Sequence, residues 1–206
     1  MTKKNRSLPL VVSSSLGGVE ILRKGLSSSF ESKVREGKVT CSEGCSSCCY
    51  HPINISILEG ILIYRHLLGE GKWTTVLKAR LKETADKQFG TTYEVWLLSL
   101  IPCPLLQDNR CLAYSARPLI CRTYYARSDP HYCHPHRLGD NTNLVPRGGV
   151  VDEFIRKQEQ ILRKLKLQML VMPIGLALLL AERVVLGTLD IDMVDSMILR
   201  EYGDKT

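Results

Sequence analysis

Aromatic residues are scarce in this chain, 6% of the total, and no basic stripe interleaved with aromatics occurs anywhere along it. A formal net charge of +7 therefore does not read as a nucleic-acid surface, and nucleic acid is a disfavoured partner. Eight Lys/Arg against three Asp/Glu fall in residues 1–40, so much of the excess reads as solvated surface and a loose basic tail. Long apolar runs are missing too. The longest, Met169 to Ala181, has thirteen residues and contains Pro173. A bilayer span takes roughly twenty, which points to a buried helix and no membrane partner. Near the amino terminus Leu8 to Val12 is apolar for five residues, short of the about seven to fifteen of a signal core. The expected setting is cytoplasmic and thiol-reducing, which works against a disulfide framework. There is no internal repeat, no domain-sized linker, no glycine-rich cofactor motif and no Ser–His or Cys–His–Asp arrangement with positional support.

What is present suits a soluble globular protein, with 44% apolar and 24% charged residues in 206. That length supports one domain with a hydrophobic core and no need of disulfides. Helical periodicity links Val19, Leu22, Leu26, Phe30 and Val34, with Gly37 as a stop. Ser56-Ile-Leu-Glu59 reads as a capping box opening a helix to about Leu68. Trp73, Val76, Leu77 and Leu81 mark the next helix. Thr91-Thr-Tyr-Glu94 caps a short one that must stop before Pro102 and Pro104. Phe154, Gln158, Ile161, Leu165 and Met169 share a face, Ile174 to Leu186 is apolar nearly all round up to Gly187, and Asp190 caps a last helix with Met193, Met197 and Ile198. Between these patterns, residues 102–150 are proline-, glycine- and arginine-rich and aperiodic, and would gain order from a central ligand. The expected fold is mainly α: a flexible basic N-terminus over 1–15, then one helical domain over 16–206. Its irregular cysteine-rich centre falls in 41–125 and its C-terminal helices in 151–206.

All eight cysteines lie between 41 and 133, and the stretch CSEGCSSCCY holds four of them in nine residues. The spacing is Cys41-x3-Cys45-x2-Cys48-Cys49, then Cys103-x7-Cys111-x9-Cys121, then Cys133. Gathering several thiolates without a cation is electrostatically prohibitive. Thiolates select zinc, copper(I) or iron–sulfur clusters over magnesium or calcium, so a metal ion is the expected partner. Six central cysteines exceed the four that a structural zinc takes. They suit one iron–sulfur cluster with spare thiols, or two metals with shared ligands, and spacing alone does not choose. The adjacent pair Cys48-Cys49 cannot easily aim both sulfurs at one atom, so either the two serve different metals or one faces the core. His131-Tyr-Cys133-His134-Pro-His136 is a second candidate, weighed against an exposed polar loop. His51 reads as solvent-facing or as a residue behind the ligands.

The first loop with its CC pair, then Pro102-Cys103-Pro-Leu-Leu, then Cys111-Leu-Ala-Tyr114-Ser-Ala-Arg117-Pro118-Leu-Ile-Cys121-Arg122, resembles the YkgJ-type cysteine-cluster family, described as a zinc- or iron-chelating domain. The resemblance covers residues 41–125, with Leu105-Leu106 in place of the more usual Phe-Leu and Glu59 matching an acidic position after the CC pair. It implies zinc or iron ligation, including the form of a [4Fe-4S] cluster, by Cys45, Cys48, Cys49, Cys103, Cys111 and Cys121, with Cys41 as a further ligand. Cys133 and its histidines lie outside the pattern. Arg117 and Arg122 can offset thiolate charge and donate hydrogen bonds to sulfur or carbonyl oxygen, and Tyr114 can lay its ring over the site. A redox or protein-modifying role and a zinc-stabilised module without catalysis both remain open. Cys41-x3-Cys45-x2-Cys48 also has the spacing of radical S-adenosylmethionine enzymes, but Ser47 stands where they carry an aromatic and no βα alternation follows. The CC-containing segment is similar to part of flagellin lysine N-methylases, without a separate methyltransferase pattern here. Whether the chain is an enzyme is not decided by its sequence.

Overall fold

The computed structural model describes residues 10–35, 39–42, 44–89, 91–137, 139, 141–146, 149–164 and 171–202. The start of the basic tail, Gly37, Leu165 and Met169 lie outside the described residues. The chain is mainly helical, as expected, with eight α-helices and four short strands among the described residues.

Helix α1 (Leu10–Arg35) starts earlier than its apolar pattern and takes in residues 10–15, which composition assigns to the tail. Three serines in a row cost a helix only a few tenths of a kcal/mol each, so they do not stop it. Leu16 and Val19 are buried where α1 packs on α2 (Ile57–Gly69) and α6 (Val150–Lys164).

The core centres on α7 (Ile174–Val185), which lies against α2 and α3 (Thr75–Phe89). Its nearly continuous apolar sequence follows from having neighbours on several sides: Ile174, Leu176, Ala177, Leu178, Leu180, Ala181 and Val184 are all buried. Two glycines permit this closeness. A Cβ at Gly60 would stand 2.8 Å from the Ala177 carbonyl oxygen, and one at Gly175 would run into that of Leu81. The short strands β1 (Asn54–Ser56) and β4 (Val171–Pro173) pair antiparallel, Ile55 opposite Met172, and lead directly into α2 and α7. The helix ends follow local chemistry. Ser56 caps α2 by accepting from the Glu59 N–H at 3.2 Å. Gly187, at φ +66°, follows α7 in the left-handed conformation that glycine tolerates. Helix α4 (Tyr93–Ser99) is capped by Thr92, one residue beyond the expected Thr91, because the Thr92 hydroxyl faces the Val95 N–H. Asp190 precedes a 3-10 turn (Ile191–Met193) that leads into α8 (Val194–Tyr202), and its side chain makes no capping bond.

No helix among the described residues is long and apolar enough to cross a membrane. At the far end of the core, Glu182 accepts hydrogen bonds from the Trp73 indole (2.8 Å) and from Lys78. Trp73 meets Tyr64 edge-on at 4.8 Å. The cysteine-bearing segments lie along α2, from Glu59, which accepts the Leu119 N–H, to His66, whose Nε2 is 3.2 Å from Ser115 Oγ, and they reach the start of α7 at Ile174.

Candidate metal centre

The first cysteine loop is built from tight turns. Gly44 takes φ +88°, the Cys45 N–H donates to the Ser42 carbonyl at 3.1 Å, and a 3-10 turn runs over Ser47–Tyr50. On that turn Cys48 and Cys49 both open onto one cavity. Both are half-buried, so neither is given over to the core.

The second half comes from a hairpin and a one-turn helix. Strands β2 (Leu106–Gln107) and β3 (Arg110–Cys111) are joined by Asp108 and Asn109, both at positive φ (49° and 59°). Those are the residue types that tolerate this conformation, in a two-residue turn whose twist suits a hairpin. The hairpin delivers Cys111. A 3-10 turn (Tyr114–Ala116) and Pro118 then lead into α5 (Leu119–Arg122), which carries Cys121. The Cys103 N–H donates to the Cys49 carbonyl at 2.6 Å, and Ser46 Oγ to Asn109 Oδ1 at 3.1 Å, tying the halves together.

Cys45, Cys48, Cys49, Cys103, Cys111 and Cys121 thus line a single cavity of about 860 Å³, floored by Ile53, Leu105 and Ile174. Burial pushes the thiols of Cys103, Cys111 and Cys121 up, and neighbouring thiols push them further. Cys48 is raised first by its hydrogen bond to Cys49 and then by burial. Such thiols keep their protons until a cation replaces them, which is the coupling expected of a thiolate site. Among the described residues no group of three or more His, Cys, Asp or Glu side chains is already arranged to hold an ion. The six thiols share a cavity without forming a closed cage. As a donor set they fit a soft cation and no hard one.

Cys41 stands outside this lining. Its sulfur accepts the Ala126 N–H at 3.2 Å, while Thr40 N–H bonds the Ala126 carbonyl at 3.0 Å. Cys133 is the one fully buried cysteine, 3% exposed. Burial, with the thiols of Cys41, Cys48 and Cys45 nearby, pushes it up to about 11. His51 is buried rather than solvent-facing. Its Nε2 lies 3.0 Å from the Cys133 carbonyl, and burial lowers its pKa. His131 and His136 are exposed, and the His134 ring meets that of Tyr50 at a tilt, centroids 5.2 Å apart; none of the three lines the cavity.

The arginines divide their work. Arg117 lines the cavity, with its guanidinium 4.1 Å from the centre of the Tyr114 ring and its Nε buried without a hydrogen-bond partner. Arg122 turns away from the sulfurs and donates to the carbonyls of Arg117 (3.1 Å) and Ser115. Two further charged residues grip the same segment. Arg23 of α1, 3% exposed, donates to the Arg117 carbonyl at 2.8 Å while paired with Glu20. Glu59 of α2 accepts the Leu119 N–H at 3.0 Å. Arg23 sits within an ordinary helical repeat, and nothing in the sequence marks it. Glu59 reads in the sequence as a local cap and as an acidic position of the family pattern, and its carboxylate reaches a different part of the chain.

Comparison with protein families matches residues 40–138 to CxxCxxCC, described as a putative zinc- or iron-chelating domain. The match takes in Cys133 as well as the seven cysteines of the quoted pattern. Neither the curated proteins nor the solved structures gave a match.

Proposed function

We propose, from the match of residues 40–138 to the CxxCxxCC domain, that the chain holds a thiolate-bound zinc or iron centre in the cysteine cavity. The ligands are drawn from Cys45, Cys48, Cys49, Cys103, Cys111 and Cys121, with Cys41 at its edge. The observation carrying this reading is that six cysteines, from two segments more than fifty residues apart, line one cavity. Thiols gathered this way raise one another's pKa, and a soft cation is what relieves the crowding. Arg117 supports the reading, since a half-buried cation whose Nε is buried without a hydrogen-bond partner suits a site of excess negative charge. Tyr114 backs its guanidinium, and Arg122 holds the loop that presents it.

Six thiols exceed the four that a structural zinc or one iron–sulfur cluster takes, so the cavity suits a cluster with spare thiols or two metals with shared ligands. In a thiol-reducing cytoplasm such a cluster would serve a redox or protein-modifying role. The competing reading, a zinc that only welds the two segments together, is supported by the backbone bond from Cys103 to Cys49. Purification without oxygen, followed by metal and acid-labile sulfide analysis, separates the two. A brown protein with iron and sulfide supports the cluster. Colourless protein with stoichiometric zinc supports the module, and protein without either metal ends both readings.

A further inference from the structure

We infer that Glu59 is the positioning residue of the metal centre, fixing Cys121 by capping, from sixty residues away, the short helix that carries it. The proposal rests on the metal-binding reading above. Helix α5 follows Pro118, and its first N–H, that of Leu119, has no acceptor within its own turn, while the N–H groups of Cys121 and Arg122 both return to the Pro118 carbonyl. Leu119 is 1% exposed, so water cannot serve it, and an unpaired buried N–H is costly. Glu59, 7% exposed, fills that place with Oε1 at 3.0 Å.

This use of a carboxylate is electrostatically awkward. Burial raises the Glu59 pKa, and its charge also raises that of Cys121. A residue retained only to end α2 would need neither the burial nor that neighbour, because the cap of α2 is the Ser56 hydroxyl and the Glu59 contribution there is its backbone N–H. What the side chain alone supplies is a rigid link from the first turn of α2 to the Cys121 turn. Arg23 and Ser56 moderate the buried charge. Arg23 also holds the Arg117 carbonyl, two residues before Leu119, so the loop is gripped on both sides of Pro118.

The test compares Glu59→Ala, Glu59→Gln and Ser56→Ala in the full chain. The readouts are zinc affinity, by competition with a chromophoric chelator, and the alkylation rate of Cys121 in metal-free protein, by peptide mapping. Glu59→Ala is expected to weaken zinc by about 10- to 100-fold, the range for losing a group that orients a ligand, and to speed Cys121 alkylation. Glu59→Gln keeps an acceptor oxygen and should stay within a few-fold of wild type on both. Ser56→Ala loosens α2 and should lower the melting temperature without moving either readout. If Glu59→Ala does not fold, Glu59→Asp, one methylene too short to reach Leu119, replaces it. Wild-type zinc affinity and alkylation in the Ala or Asp variant would overturn the proposal, as would equal losses in Glu59→Gln and Glu59→Ala. If wild type itself binds no zinc, the zinc form of the metal reading fails, and the alkylation rates alone decide whether Glu59 positions Cys121.

Discussion

Gly60→Ala should destabilise the protein although alanine is the better helix former. Gly60 follows Glu59 on α2, at the point where that helix lies on α7. The added Cβ would stand 2.8 Å from the Ala177 carbonyl oxygen, 3.1 Å from its carbon and 3.3 Å from the Ala177 Cβ, whereas real Cβ contacts do not fall below 3.0 Å. Two of those three atoms are backbone, so no rotamer change relieves the clash and the helices must part by several tenths of an ångström. Overpacking of this kind costs about 1–3 kcal/mol. Exchanging glycine for alanine within a helix returns about 0.5–1 kcal/mol. The net loss is on the order of 1–2 kcal/mol, and for a chain of this size the melting temperature falls by about 2–4 °C per kcal/mol. Gly18→Ala provides the opposite sign. Gly18 lies inside α1, and the nearest atom to its added Cβ is Ile161 Cδ1 at 3.8 Å, an ordinary contact. Only the propensity gain remains, so this variant should melt higher by a few degrees. Thermal unfolding of both variants in metal-free protein, followed by circular dichroism, reads the two signs. A Gly60→Ala protein that melts at or above wild type would refute the α2–α7 contact that places Glu59.

Three further outcomes concern the cysteine cavity. Cys48→Ser and Cys121→Ser should each abolish metal retention in protein purified alongside wild type, and Cys133→Ser, whose sulfur lies outside the cavity lining, should reduce it less; metal analysis checks all three. Arg117→Met should weaken metal binding by about tenfold while Arg117→Lys loses less, as read by chelator competition, because the cation rather than the packing is what the sulfurs need. Stripping the metal with a chelator should lower the melting temperature and raise amide hydrogen exchange in residues 41–50 and 103–123 first, since those segments hold one another mainly through the site. Uniform exchange along the whole chain would argue against that coupling.

How much of this was legible in the sequence varied with the range of the interaction. Ser56 as a cap, the buried run from Ile174 and the stop at Gly187 are local, and each appears where the pattern put it. The gathering of distant cysteines was also readable, because thiols in such numbers suit a soft metal and little else. Three features had no local signal. The pairing of Asn54–Ser56 with Val171–Pro173 involves strands too short to show alternation. The 3-10 turn at Ser47–Tyr50, on which adjacent Cys48 and Cys49 open onto one cavity, is four residues long and has no side-chain cap. Glu59 matched a capping box so well that its second role was hidden. The Ser56 half of the box forms, while the carboxylate leaves it for the Leu119 N–H, a partner that only the folded chain brings near.

The central claim is that cysteines from both segments bind one zinc or iron centre, and X-ray absorption at the metal edge tests it most directly. The expected spectrum is that of a sulfur shell, with metal–sulfur distances of about 2.3 Å, that is lost in both Cys48→Ser and Cys121→Ser. A first shell of nitrogen and oxygen, or a sulfur shell that survives either substitution unchanged, would contradict it.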